Sequence, residues 1–228
     1  FLNASAFNQP IGNWDVSSVS WFGGMFNRAD SFNQDIGDWN TSSATHMDYI
    51  FAGTDSFNQD IKNWNMSSVI NFQGAFAGAK AFNQPIGDWE MSSVTFLKDM
   101  FMNNSSFNQP IGDWNVTSVV SMSGIFSTAS VFNQDISNWK ISGDTNMSNM
   151  FFNAHSLSDS NKGLIHSSFS SNSNWPYDWP VHVAAPPPDN NGTNPPPDDN
   201  ATNPPVDQNE TVIPPPVDNN QTETDQNA

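Results

Sequence analysis

The sequence predicts an α/β solenoid of about six rungs, a right-handed coil of short parallel strands and short helical turns, followed by an extended polyproline-II-like tail. Three observations carry this prediction. The first 157 of 228 residues repeat with a period of 25 and no insertion or deletion. Apolar residues return at fixed columns of that period, the pattern of a chain whose repeats bury their faces against one another. From Pro186 onward those columns stop, and Pro, Asn and Asp take over.

Each repeat has two halves. Phe-Asn-Gln opens the first at Phe7, Phe32, Phe57, Phe82, Phe107 and Phe132. Isoleucine follows at Ile11, Ile36, Ile61, Ile86, Ile111 and Ile136, and tryptophan closes it at Trp14, Trp39, Trp64, Trp89, Trp114 and Trp139. This half is β-favouring and bounded by turn residues, so a strand of about three to five residues is expected there. In the second half, Val69-x-x-Phe72-x-x-x-Phe76 and Val119-x-x-Met122-x-x-Ile125-Phe126 place apolar residues at helical spacing. The hydroxyls before them (Ser17-Ser18, Ser42-Ser43, Ser92-Ser93, Thr117-Ser118) suggest N-caps. A second aromatic column runs through Phe1, Phe26, Phe51, Phe76, Phe101, Phe126 and Phe151. One strand and one short helix per 20–29 residues is the leucine-rich-repeat plan.

The string from Phe32 to Ile61, FNQDIGDWNTSSATHMDYIFAGTDSFNQDI, resembles the BspA-type leucine-rich repeat of bacterial and protist surface proteins. Its Trp-Asp-x-Ser-x-Val-x-x-Met-x-x-Met-Phe core is matched in all six copies, with Ala75 and Ile50 at the Met column and Ala44 and Asp144 at the Val column. The resemblance implies a surface-exposed repeat protein and names no activity.

Most columns have a structural explanation. Phe, Ile, Trp and Met form apolar ladders. Asn8, Asn33, Asn58, Asn83, Asn108 and Asn133 form an expected amide ladder that satisfies backbone groups in the turns. The column Asn13, Asp38, Asn63, Asp88, Asp113 and Asn138 is assigned to turn capping, because it lacks the glycine-flanked nonapeptide of calcium-binding β-rolls. Residues 1–157 are the repeat region, 158–185 a C-terminal cap in which Leu164, Ile165, Phe169, Trp175, Tyr177 and Trp179 cover the last rung, and 186–228 the tail. At the other edge Phe1 stands in phase with Phe26, so no polar cap is expected over the first rung.

The tail holds 11 of the 16 prolines and eight acidic residues with no Lys or Arg. Such a composition builds no core and favours polyproline II. Its 43 residues would span roughly 130 Å. Asn-x-Ser/Thr sequons stand at Asn191, Asn200, Asn209 and Asn220 in the tail, and at Asn3, Asn40, Asn65, Asn103, Asn104, Asn115 and Asn146 in the repeats. Asn191, Asn200 and Asn209 are nine apart, which puts them on one side of a three-residue-per-turn helix and suggests a glycan-bearing rod. The proline runs resemble hydroxyproline-rich glycoproteins. That likeness makes Pro186, Pro187, Pro188, Pro195, Pro196, Pro197, Pro204, Pro205, Pro214, Pro215 and Pro216 candidates for hydroxylation and O-glycosylation.

Composition narrows the function. The net charge of −17 argues against nucleic acid, and the absence of Cys excludes disulfides and thiolate metal sites. There is no apolar run long enough for a membrane span. The four histidines, His46, His155, His166 and His182, show no metal-ligand spacing, and no nucleophile or phosphate-loop motif occurs, so no enzyme and no cofactor is expected. The expectation is an extracellular or cell-surface structural protomer, glycosylated and polymerising with copies of itself into a fibril through solenoid edges or tail contacts. The alternative is a monomeric adhesion module on a glycosylated stalk, with Trp21, off the repeated Trp column, as one contact.

Overall fold

The computed structural model describes residues 1–179. The tail sequons Asn191, Asn200, Asn209 and Asn220, all eleven tail prolines and the end of the cap segment lie outside the described residues.

Successive repeats are joined in parallel. Single-residue bridges run Trp21 to His46, His46 to Asn71, Asn71 to Phe96, Phe96 to Ser121 and Ser121 to Asn146. After each bridge, every second N–H donates to the carbonyl 24 residues on. Phe22 reaches His46 at 2.8 Å, Gly24 reaches Asp48 at 2.8 Å, Phe26 reaches Ile50 at 2.9 Å and Arg28 reaches Ala52 at 2.7 Å. The intervening N–H groups close turns within the repeat: Met25 to Phe22 (3.0 Å), Asn27 to Gly24 (3.1 Å) and Ala29 to Phe26 (2.9 Å). Backbone donors that cannot reach water are thus divided between the next repeat and the local turn.

This division replaces both expected elements. The Phe-Asn-Gln to Trp half carries turns and irregular backbone instead of a strand, and the bridge falls in the other half. The Val-x-x-Phe segment is a chain of turns instead of a helix, because the Phe26 N–H donates to the next repeat and not to Phe22. Apolar spacing of three and four arises here because consecutive turns also return side chains to one side at that interval. The turn chain needs two left-handed residues four apart in each repeat: Gly24 and Arg28, Tyr49 and Gly53, Gly74 and Gly78, Asp99 and Asn103, Gly124 and Thr128, Asn149 and Asn153. Among the described residues the only helix is α1, Asp159–Phe169. The expected N-cap hydroxyls donate instead. Ser17 Oγ reaches Asp15 Oδ1 at 2.6 Å, and Ser93 Oγ reaches the Ser67 carbonyl of the preceding repeat at 2.6 Å.

Between the repeats lies one continuous core. Phe26, Phe51, Phe76, Phe101, Phe126 and Phe151 form a column with centroids 5.5–5.9 Å apart. A second Phe lies flat on each except Phe151, as Phe57 does on Phe51 at 3.9 Å. Offset stacking of this kind adds about 0.5–1.5 kcal/mol per pair beyond area burial. The indole N–H groups of Trp39, Trp64, Trp89, Trp114 and Trp139 are satisfied across the repeat boundary: Trp64 Nε1 donates to the Ile36 carbonyl at 3.0 Å and Trp139 Nε1 to that of Ile111 at 2.8 Å.

At the C-terminal edge the chain imitates the repeat that is absent. Where Phe126 N–H meets the Met150 carbonyl, Phe151 N–H meets Tyr177 Oη at 2.6 Å. Where Gln134 Nε2 meets Asn108, Asn161 Nδ2 meets both the carbonyl and Oδ1 of Asn133 at 2.9 Å. Ser158 caps α1 by accepting from Asn161 N–H. Ile165 and Phe169 are buried, and the rings of Trp175, Tyr177 and Trp179 all lie against Phe151. Leu164, expected among the covering residues, faces solvent instead, since α1 turns its Ile165 and Phe169 side inward.

Burial pushes the Tyr177 phenol up to about 12, against the opposing pull of the Phe151 N–H. Its neutral form therefore contributes fully below the ordinary phenol value of ~10, and that contribution is lost as pH rises toward about 12. The difference corresponds to roughly 2–3 kcal/mol. Urea midpoints of the wild type should fall between pH 10 and 12. Tyr177→Phe should start lower, by the ~1–3 kcal/mol of an orphaned Phe151 N–H, and should show a flatter pH profile over that window.

Candidate functional site

Comparison among the repeats separates two surfaces. On the first, side chains repeat and their hydrogen bonds are used up. Asn33 Oδ1 accepts from Asn58 N–H at 3.0 Å and from Gln59 Nε2 at 2.9 Å. Asn83 Oδ1 does the same for Asn108 N–H and Gln109 Nε2, both at 3.0 Å. The chain of such contacts starts at Asn8 and continues through Asn58, Asn108 and Asn133. With both acceptor directions of each oxygen occupied, the Asn ladder is a fixture of the fold. The Trp column is equally committed through Trp39, Trp64, Trp89, Trp114 and Trp139, all buried; Trp14 is half exposed.

Turn capping also moves to a different column from the one expected. The Gly37, Lys62 and Ser137 N–H groups are accepted by Asp35, Asp60 and Asp135. These carboxylates precede the isoleucine, whereas the column of Asn13, Asp38, Asn63, Asp88, Asp113 and Asn138 follows it. Only an acceptor two residues before the donor reaches it in this turn. Among the described residues no group of three or more acidic or imidazole side chains is placed to hold a metal ion.

The second surface follows the bridge column, where residues differ from repeat to repeat: Trp21, His46, Asn71, Phe96, Ser121 and Asn146. Trp21 is 64% exposed, Phe96 41%, and the neighbours Ile70 and Val120 are 42% and 52% exposed. The Trp21 indole stacks on His46 at 4.8 Å with an 8° tilt, and His46 Nδ1 lies 3.0 Å from Thr45 Oγ1. Tyr49 covers Gly74 and bonds Gln73 through its hydroxyl. A Cβ at Gly74 would lie 2.4 Å from that ring, so the ring fills the space that a side chain there would need. Beside Trp21, Asp48 Oδ1 is buried with no hydrogen-bond partner. Further along, burial raises the Asp99 carboxyl, which the Lys98 ammonium 3.7 Å away partly offsets. Apolar rings, isolated polar groups and a buried acceptor suit this face to contact. Trp21 was legible in the sequence as the Trp outside its column. Phe96, Ile70 and Val120 were not, because only the bridge register reveals that they are exposed.

Two overlapping segments, residues 1–89 and 72–174, match the family model described as "Mycoplasma protein of unknown function, DUF285". The chain belongs to the DUF285 family. No curated protein and no solved structure matches it. Both matched segments of this DUF285 chain lie within the described residues.

The sequons are unequal. Asn40, Asn65 and Asn115 share an exposed column, and each Oδ1 accepts an N–H two residues on. In Asn65 and Asn115 that oxygen also takes the sequon hydroxyl, at 2.7 Å in each case. Asn3, Asn103 and Asn146 are exposed as well. Asn104 is not a possible glycan acceptor in the folded chain. It is fully buried, and its Nδ2 donates to the Ala79 carbonyl at 2.8 Å. It stands in a small-residue column with Ala79 and Ala129, where a polar side chain persists only by bonding inward.

Two measurements follow. Asn83→Ala removes one oxygen serving two donors and should cost about 1–3 kcal/mol, read as a lowered urea midpoint with unchanged slope. After secretion from a glycosylating eukaryotic host, peptide mapping should find glycan on Asn65 or Asn115 and none on Asn104.

Proposed function

We propose that this DUF285 chain is a cell-surface or extracellular solenoid module that binds a macromolecular partner through the bridge-column face. Its fold is taken as a leucine-rich-repeat-like coil of the BspA type whose rungs are built from turns and single bridges. The observation that carries the reading is the coincidence of exposure and variation. Ile70, Phe96 and Val120 are large apolar side chains open to solvent at or beside the column that changes between repeats. Contiguous exposed apolar surface on a polar chain marks interaction sites. The chain's charge of −17 favours a partner without dense negative charge at its contact.

The competing reading is a self-polymerising fibril protomer with attached glycans. A filament that grows by stacking edges needs both edges open. Tyr177 and Asn161 already occupy the C-terminal one, so polymerisation would have to use other contacts.

Light scattering after size exclusion, over a wide concentration range, separates the two: the binding module stays monomeric and the protomer grows. Binding of the intact chain to immobilised extracellular proteins and polysaccharides tests the face itself. The triple variant Ile70→Ser, Phe96→Ser, Val120→Ser should lose binding by about tenfold or more, while Asp88→Asn on the repeated surface should not. Equal binding by both variants would remove the bridge face from the argument.

A further inference from the structure

The sixth repeat departs from the others at one place. In five repeats an acceptor follows the Trp directly: Asp15, Asn40, Asn65, Glu90 and Asn115 each take the N–H two residues on. In the sixth, Lys140 stands there and has no oxygen to offer. The turn then closes one residue later, as Thr145 to Ser142 (3.1 Å), where Val119 to Val116 closes its counterpart (3.0 Å). Asn172 Nδ2 and Asn174 Nδ2 hold the displaced loop through the Ser142 and Gly143 carbonyls at 2.9 and 3.0 Å.

Beside this loop, a cavity of about 400 Å³ lies between residues 137–141 and the end of α1 with the residues after it, within the size range of small-molecule sites. It is lined by Trp139, Phe169 and Lys140 together with Ser137, Ser168 and Ser171. No carboxylate lines it. Among the described residues Lys62, Lys80, Lys98 and Lys162 are all paired with Asp, whereas Lys140 makes no ion pair. The cavity thus presents an uncompensated ammonium in a chain of net charge −17.

We propose that this cavity binds a single uronic-acid residue carried by an otherwise neutral polysaccharide, the case that the net charge of −17 least opposes. Lys140 pairs with the sugar carboxylate as a charge-assisted contact. The serine hydroxyls both donate and accept, as sugar hydroxyls do, and match the ring substituents. The open side of the cavity lets the polymer continue past the bound residue. The cavity shares no residue with the bridge column, so its success or failure is independent of the partner proposed there.

The test uses the full chain with three probes, followed by tryptophan fluorescence and calorimetry: an oligogalactose ending in one galacturonate, the all-neutral oligogalactose of equal length, and oligoglutamate. The expected result is saturable millimolar or tighter binding of the galacturonate-bearing probe, with about tenfold weaker binding of each other probe. Lys140→Gln should weaken binding of the galacturonate-bearing probe about tenfold, Lys140→Arg should largely retain it, and the triple bridge-face variant should leave it unchanged. No binding in the millimolar range, equal binding of the neutral sugar or the acidic peptide, or indifference to Lys140→Gln would each overturn the proposal.

Discussion

Every repeat depends on a carbonyl row 24 residues further along the chain. A single repeat has too few internal partners for its backbone and too little apolar surface to close a core. The N–H groups at Phe26, Phe51, Phe76, Phe101 and Phe126 all find acceptors in the next copy. This one requirement explains the strict period: a single inserted residue would exchange the donors that face the neighbour for those that close turns. It also explains why like side chains lie on like. Phe stacks on Phe, Trp on Trp, and Asn oxygens meet the next Asn amide because the backbone register leaves them no other neighbour.

The same requirement shapes the turns. Reserving alternate N–H groups for the neighbour means that the rest must bond locally, and the tight turns that result pass through the left-handed region twice per repeat. Glycine takes that conformation freely, and Asn and Asp tolerate it. Arg28, Tyr49 and Thr128 occupy it without that advantage. Their presence indicates that the cross-repeat bonds outweigh a local cost of about 1–2 kcal/mol per residue.

Repetition leaves two places free to differ. One is the outward side of the bridge column, where a side chain can change without disturbing the donors. The other is the final repeat, where no further copy has to be accommodated. Tyr177 and Asn161 supply there, from side chains, the acceptor and donor that another repeat would supply from backbone and Gln. The Lys140 cavity opens at the same junction, where the loop is released from the spacing kept elsewhere.

Much of this was legible in the sequence. Period, apolar columns, the Asn and Trp ladders and the change of character near Ala185 follow from residue identity alone, because a column of identical residues at constant spacing can be buried only against itself. The local conformation was not legible. Val-x-x-Phe spacing fits a helix and a chain of turns equally well, and the choice is made by where the Phe26 N–H finds its acceptor, a partner 24 residues away. Tertiary structure alone separated Asn65 from Asn104, two sequons that look alike in sequence, because one oxygen lies on an exposed turn and the other amide fills a gap in the core. It likewise identified Ile70, Phe96 and Val120 as surface: exposure depends on the register between repeats, which no single repeat contains.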